Sequence, residues 1–233
     1  MMTRGYALVA LPSAILQPGL AGEDILAIAA SPLSDLVHFE IAGKRSRILR
    51  LAANQIGQST RLPEEVVEGY DPVTSSDGRW LAYLTDADGK TEIHLWKDGS
   101  ALPVTYSERV GDILEMSLSA GGALIFASGG AANPHLSKFD PSSGGFRKMN
   151  EIPGAIRFPA TSPNGKNLAF SRRESGAWHL VVRDLSTAVE RQLTTAACNA
   201  TAPSWEDAHT LLYVSDCGRG LGMSAPVRVD LNY

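Results

Sequence analysis

Five times along this chain a small polar residue is followed by a turn and a burst of β-formers, and that recurrence limits the fold more than any other feature. The phrase runs from Ser31 to Phe39, Ser75 to Tyr83, Ser119 to Phe126, Ser162 to Phe170 and Trp205 to Tyr213. Successive starts lie 44, 44, 43 and 43 residues apart. A period of roughly 40–45 residues built from short strands marks the blades of a β-propeller. An all-β propeller of about five four-stranded blades follows, with approximate bounds 24–66, 67–109, 110–152, 153–196 and 197–233. A blade cannot bury its own faces and must stack on its neighbours, so residues 1–233 read as one domain.

The second repeat shows the reading in detail. Asp71 to Ser76 forms the inner strand, and Asp77-Gly78 makes a tight hairpin turn. Trp80 to Leu84 is a near-continuous apolar run, suited to a strand covered on both faces. Thr91 to Lys97 and Leu102 to Tyr106 supply the third and outer strands, with Asp98-Gly99 turning between them. The fourth repeat follows the same plan, with strands at Arg157 to Thr161, Asn167 to Ser171, Trp178 to Asp184 and Glu190 to Thr194.

The fifth repeat stops after its third strand, Pro226 to Leu231. An unpaired outer edge is a liability. Residues Gly5 to Pro12 read as a strand that would complete this blade. Two alternatives stay open. Arg4 followed by the apolar stretch Tyr6 to Leu16 has the outline of a signal peptide, and the chain reads equally as the C-terminal part of a larger propeller.

The net charge is −4 and no run of five basic residues occurs, so a nucleic-acid footprint is unsupported. No window of 18 apolar residues occurs, so this chain has no transmembrane helix in its sequence. Gly and Pro, 22 and 13 residues, fall between the apolar bursts and read as turns.

Ser162-Pro-Asn-Gly-Lys166 followed by Leu-Ala-Phe170, and Asp184-Leu185 followed by Arg191-Gln-Leu-Thr194, resemble the repeats of TolB-type propellers, also called WD40-like or PD40 repeats. Tyr213-Val-Ser-Asp216 is similar to a strand ending of the same family. The resemblance spans residues 24–231 and implies a bacterial propeller that binds another protein or peptide. It also implies a periplasmic or otherwise extracytoplasmic setting. Family members also sit on peptidases and on membrane or sensor proteins, so the propeller part of such a larger protein is a further reading.

Candidate chemistry is sparse. Cys198 and Cys217 flank the first two strands of the fifth repeat. A two-residue turn at Asp207-Ala208 pairs residues whose numbers sum to 415, which matches the two cysteines and places them in disulfide range. A disulfide implies an oxidising compartment, whereas two reduced thiols imply a reducing one. His94 and His179 fall at matching places of different blades and read as structural. Asp86-Ala-Asp88-Gly lacks the spacing of a calcium loop and reads as a turn. Asn199-Ala-Thr201 matches a glycosylation acceptor pattern. No Gly-x-Ser-x-Gly elbow, Walker motif or dinucleotide fingerprint occurs. The sequence assigns no catalytic residue, no cofactor and no metal. A non-enzymatic scaffold or sensor is expected, with a propeller-based hydrolase or lyase as the rival. Its interaction face would gather the loops Asp86–Lys90, Gly129–Pro134, Arg172–Gly176 and Cys217–Gly222. Asp86, Asp88, Arg172, Arg173, Glu174 and Arg219 are its candidate residues.

Overall fold

The computed structural model describes residues 25–30, 36–41, 47–52, 59–61, 69–87, 90–109, 112–130, 132–149, 151–219 and 223–231. In it the recurring serine closes a turn through its side chain. The Ser75 N–H donates to the Trp80 carbonyl at 3.0 Å, and the Trp80 N–H donates back to Ser75 Oγ at 3.0 Å. The Ser75 hydroxyl itself donates to Asp77 Oδ1 at 2.5 Å. Ser162 repeats the scheme with Asn167 and Asn164, at 2.8, 2.9 and 2.7 Å. Both serines are fully buried, so the phrase that sets the period is a structural device rather than a functional one. The turn is wider than the two-residue hairpin expected at Asp77-Gly78. The inner strand accordingly ends at Thr74, not Ser76. A serine hydroxyl that bonds across the loop favours the longer form.

The chain divides into two compact units. The first carries two four-stranded antiparallel sheets in sequential order. One comprises β1 (Ile25–Ala30), β2 (Leu36–Ile41), β3 (Arg47–Ala52) and β4 (Ser59–Arg61). The other comprises β5 (Tyr70–Thr74), β6 (Trp80–Ala87), β7 (Lys90–Lys97) and β8 (Ser100–Arg109), and β5 lies against β1 and β2.

The second unit carries three sheets. The first is β9 (Ile113–Leu118), β10 (Leu124–Ser128), β11 (His135–Asp140) and β12 (Gly145–Lys148). Next come β13 (Ile156–Thr161), β14 (Asn167–Glu174), β15 (Ala177–Asp184) and β16 (Glu190–Gln192). The last is β17 (Ala200–Trp205), β18 (Thr210–Ser215) and β19 (Ala225–Asp230), which has three strands among the described residues. Four sheets thus have the up-and-down, four-stranded form of propeller blades. The segment read as a closing strand or signal peptide, Gly5 to Pro12, lies outside the described residues.

Blade stacking explains the apolar runs. Leu168 and Phe170 of β14 join Ile125, Leu136, Met149, Ile152 and Ile156 in one buried cluster. Ala169, pointing to the other face of the same strand, joins Leu180, Ala200 and Leu211 in a second. A strand covered on both faces cannot alternate apolar with polar residues. Each such large side chain contributes roughly 1.5–3 kcal/mol by leaving water. Polar rungs also cross between blades: Trp205 Nε1 donates to the Ala160 carbonyl at 2.9 Å, and the Thr161 N–H donates to Ser117 Oγ at 2.8 Å.

Three inner strands bend at the same point. β5 bulges between Tyr70 and Val73, β13 between Arg157 and Ala160, and β17 between Thr201 and Ser204. The first bulge residue is left-handed each time, with φ of 48° at Asp71, 56° at Phe158 and 50° at Ala202. The second is always proline: Pro72, Pro159 and Pro203. A proline offers no N–H to the ladder, and a bulge is where that absence is tolerated inside a sheet.

Candidate functional site

Strands in each sheet alternate in direction. The hairpins β10–β11, β14–β15 and β18–β19 therefore lie at the same end of their sheets as the starts of β9, β13 and β17. That end of the second unit collects most of its unusual chemistry. Arg157, beside the β13 bulge, donates through Nε to Glu115 Oε1 at 2.9 Å and makes a second bond to that oxygen through its terminal nitrogen. The Phe158 N–H donates to the other Glu115 oxygen at 3.3 Å. The Arg157 guanidinium also lies 4.6 Å from the centre of the Phe158 ring, whose edge meets Trp178 at 6.5 Å. A carboxylate, a guanidinium and two aromatic rings thus stand together where two inner strands begin.

On the next strand Arg172 turns inward rather than joining an open loop. It donates to Glu190 Oε2 at 2.6 Å, lies 3.9 Å from Glu174 Oε1 and sits over the Phe170 ring at 5.3 Å. Arg183 donates to the other Glu190 oxygen at 2.8 Å. The expected loop Arg172–Gly176 is shorter than the sequence suggested. β14 extends through Glu174, and Ser175 and Gly176, with φ of 50° and 89°, form the two-residue turn. Arg173 is exposed, and its side chain makes no hydrogen bond or ion pair among the described residues. Arg219 has the same status beyond β18.

Cys198 and Cys217 are joined as a disulfide, with Cα atoms 5.2 Å apart. The register beside them pairs Ala200 with Ser215 and Thr201 with Val214, the expected sum of 415. It arises differently from the sequence argument. The turn is longer than Asp207-Ala208, because the Glu206 N–H donates to the Thr210 carbonyl at 3.0 Å and Trp205 pairs with Leu211. The Ala202-Pro203 bulge then shifts the register by one residue. Asn199 ties the same end together. Its N–H and side-chain Nδ2 donate to Asp216 at 2.6 and 2.7 Å, and its side-chain Oδ1 accepts from the Trp178 N–H at 3.1 Å. Those Asn199 bonds hold the Asp216 carboxyl below its ordinary range.

The remaining candidates are placed as follows. Asp86, at the far end of β6, accepts from the Tyr70 hydroxyl at 2.6 Å and from Thr91 Oγ1 at 2.8 Å. Asp88 lies outside the described residues. His94 stacks on Tyr83 at 5.5 Å and contacts Glu92 at 3.3 Å, while His179 is buried in β15. Trp96 Nε1 donates to the Tyr83 hydroxyl at 3.1 Å. Among the described residues no three His, Cys, Asp or Glu side chains converge on a metal position, and no helix is long and apolar enough to cross a membrane. Sequence reading missed the Glu115–Arg157 pair and the bulges. The proline three residues before the turn serine, at Pro72 and Pro159, is the signal that marks the latter.

A set of bulged, serine-turned, four-stranded blades has the β-propeller fold, and solved structures share it. A TolB-type protein from Agrobacterium tumefaciens superposes with a TM-score of 0.68 at 16% identity, over 90% of this chain and 78% of that one. TolB from Acinetobacter baumannii gives 0.64 at 18% identity, over 90% and 52%. A puromycin-hydrolyzing peptidase of Mycobacterium tuberculosis gives 0.66 at 19% identity, over 91% of this chain but only 36% of its own length. No family profile matches the sequence, and no curated protein matches it.

Proposed function

We propose that this chain is a non-catalytic interaction propeller, scaffold or sensor, that docks another protein or peptide through the loop end of its second unit. The carrying observation is the state of the arginines there. Arg157, Arg172 and Arg183 are neutralised by Glu115 and Glu190, whereas Arg173 and Arg219 stand exposed without a partner among the described residues. Cations on a rigid frame that are not used by the fold are available to an acidic segment of a partner. The disulfide fits an oxidising, extracytoplasmic setting. Binding of a fluorescein-labelled Glu/Asp-rich peptide at low salt tests the reading. Arg173→Glu with Arg219→Glu should weaken it several-fold while leaving the thermal transition in place, and unchanged binding overturns it.

The edge of β19 supports a second element of the reading. Four sheets have four strands and the last has three among the described residues, and the sequence expectation is that Gly5 to Pro12 would complete it. Deleting residues 1–12 should then lower the melting temperature. A deletion that melts like the full chain removes this element.

The peptidase resemblances favour one rival. The chain spans about a third of the peptidases it resembles, as a propeller portion of a larger enzyme would. Joining the coding sequence to its genomic neighbours distinguishes the two, since an adjoining in-frame hydrolase domain selects the rival.

A further inference from the structure

The β14–β15 register sets Trp178 directly opposite Arg173, one pair in from Glu174 and Ala177 at the hairpin turn. The Arg173 N–H donates to the Ala155 carbonyl at 2.9 Å and the Trp178 N–H to Asn199 Oδ1 at 3.1 Å, so the two residues form a pair that exchanges no ladder bond. Opposite residues of that kind have β-carbons roughly 4.5–5.5 Å apart on one face of the sheet. The face is the one turned to the β17–β19 sheet. Ala169, Leu180 and Val182 share it by strand alternation and pack with Ala200 and Leu211. Glu174, next along β14, falls on the opposite face with Arg172, 3.9 Å from its guanidinium.

The Trp178 ring is held in place but not closed over. Its edge contact with Phe158, at 6.5 Å and 73°, rests on a ring that already carries the Arg157 guanidinium. Its backbone is tied to Asn199, which Asp216 holds in turn. Trp96 and Trp205 place their ring N–H on acceptors within the fold. Trp178 is only half-buried, and its ring N–H donates to no described residue and is not sealed from water. A tryptophan closed into a core finds an acceptor for that group, whereas one at an interface keeps an apolar body and a polar handle for a partner. Arg173 beside it is exposed and has no partner among the described residues. Glu115 and Asp216 at this end are engaged by Arg157 and Asn199. Tryptophan and arginine are the side chains most enriched where protein interfaces concentrate their binding energy.

We infer that Trp178 anchors the docking surface, and that the acidic segment it receives carries an apolar residue beside its carboxylate. The carboxylate meets Arg173 and the apolar side chain covers the indole. Successive Cα atoms of a peptide lie about 3.8 Å apart, so a residue one or two positions from the acid reaches the neighbouring ring. An acid alone leaves the indole wet, and an apolar residue alone leaves the guanidinium unpaired. The inference rests on the docking reading for the partner's being an acidic polypeptide, and adds the side chain that sets which acidic segments are preferred.

Fluorescence anisotropy at low salt with two fluorescein-labelled peptides, Glu-Glu-Leu-Glu-Glu and Glu-Glu-Ser-Glu-Glu, tests it on the intact chain. The leucine peptide should bind at least fivefold more tightly. Trp178→Ala should erase that preference and Trp178→Phe should keep most of it. Arg173→Glu should weaken both peptides and leave their ratio in place. Equal affinity of the two peptides for the unaltered protein overturns the inference without any variant having to fold. A preference that survives Trp178→Ala overturns it by placing the apolar contact elsewhere, and indifference of both peptides to Arg173→Glu overturns it by placing the carboxylate elsewhere. Equal, measurable binding sinks this inference alone, whereas binding of neither peptide sinks the docking reading with it.

Discussion

Arg157 Nε and Glu115 Oε1 meet at 2.9 Å although 42 residues and a blade boundary separate them. The pair is mostly buried, at 17% and 21% exposure, and Glu115 also receives the N–H of the left-handed Phe158. It therefore joins two blades and steadies a strained bulge at once. Removing one partner leaves the other charged and poorly solvated. Arg157→Met should destabilise the fold by about 1–3 kcal/mol in urea denaturation. A double-mutant cycle with Glu115→Gln should show coupling, and additivity within about 0.5 kcal/mol would remove the pair from the stability account.

The turn serines should matter in proportion to their burial. Ser162→Ala leaves the buried Asn167 N–H and the Asn164 side chain without their partner, and should cost about 1–2 kcal/mol. Ser142 makes comparable local bonds to Asp140 but is exposed to water. Ser142→Ala should therefore move the urea midpoint far less. Equal shifts would show that the hydroxyl's local bonds, rather than its burial, set the loss.

Tyr70 carries a pH signature. Burial, and then its hydrogen bond to Asp86, push the phenol up to about 12 from the ordinary 10.0. The folded state thus favours the protonated phenol. The stabilisation is complete below about pH 10 and is lost as pH rises through about 12. Burial also raises the Tyr83 phenol, so difference absorbance of phenolate should show Tyr70 and Tyr83 ionising late in the native protein, and Tyr70→Phe should reduce the late amplitude by one tyrosine. An undiminished late amplitude after the substitution assigns the shift elsewhere.

The disulfide should be measurable in two ways. Thiol titration of the denatured, unreduced chain should find no free cysteine, because Cys198 and Cys217 are the whole complement. Cys198→Ser with Cys217→Ser should lower stability by about 3 kcal/mol, the scale for a loop of this length. Two free thiols, or an unchanged midpoint, would contradict the bond.

What could be read from the chain divides by the range of the interactions. Ser75 bonds to both Asp77 and Trp80 within six residues, so their chemistry leaves a local phrase that repeats with the blades. The period, the strand order and the apolar runs of β6 and β14 were legible for that reason. Interactions across a repeat leave no such phrase. Nothing near Glu115 in sequence announces Arg157, and nothing near Arg172 announces that Glu190 will turn it away from the loop. The fifth hairpin shows a subtler case. A turn read as too short and a bulge not foreseen shifted the register in opposite senses, so Cys198 and Cys217 fell opposite each other by compensation.

The proline bulges hold one backbone shape beneath three unlike side chains, Asp71, Phe158 and Ala202. Shape and chemistry are therefore inherited separately at these positions. A lineage can exchange an acid for an aromatic or a methyl group while each sheet keeps its bend, which leaves the surface at these positions free to change without relearning how to fold.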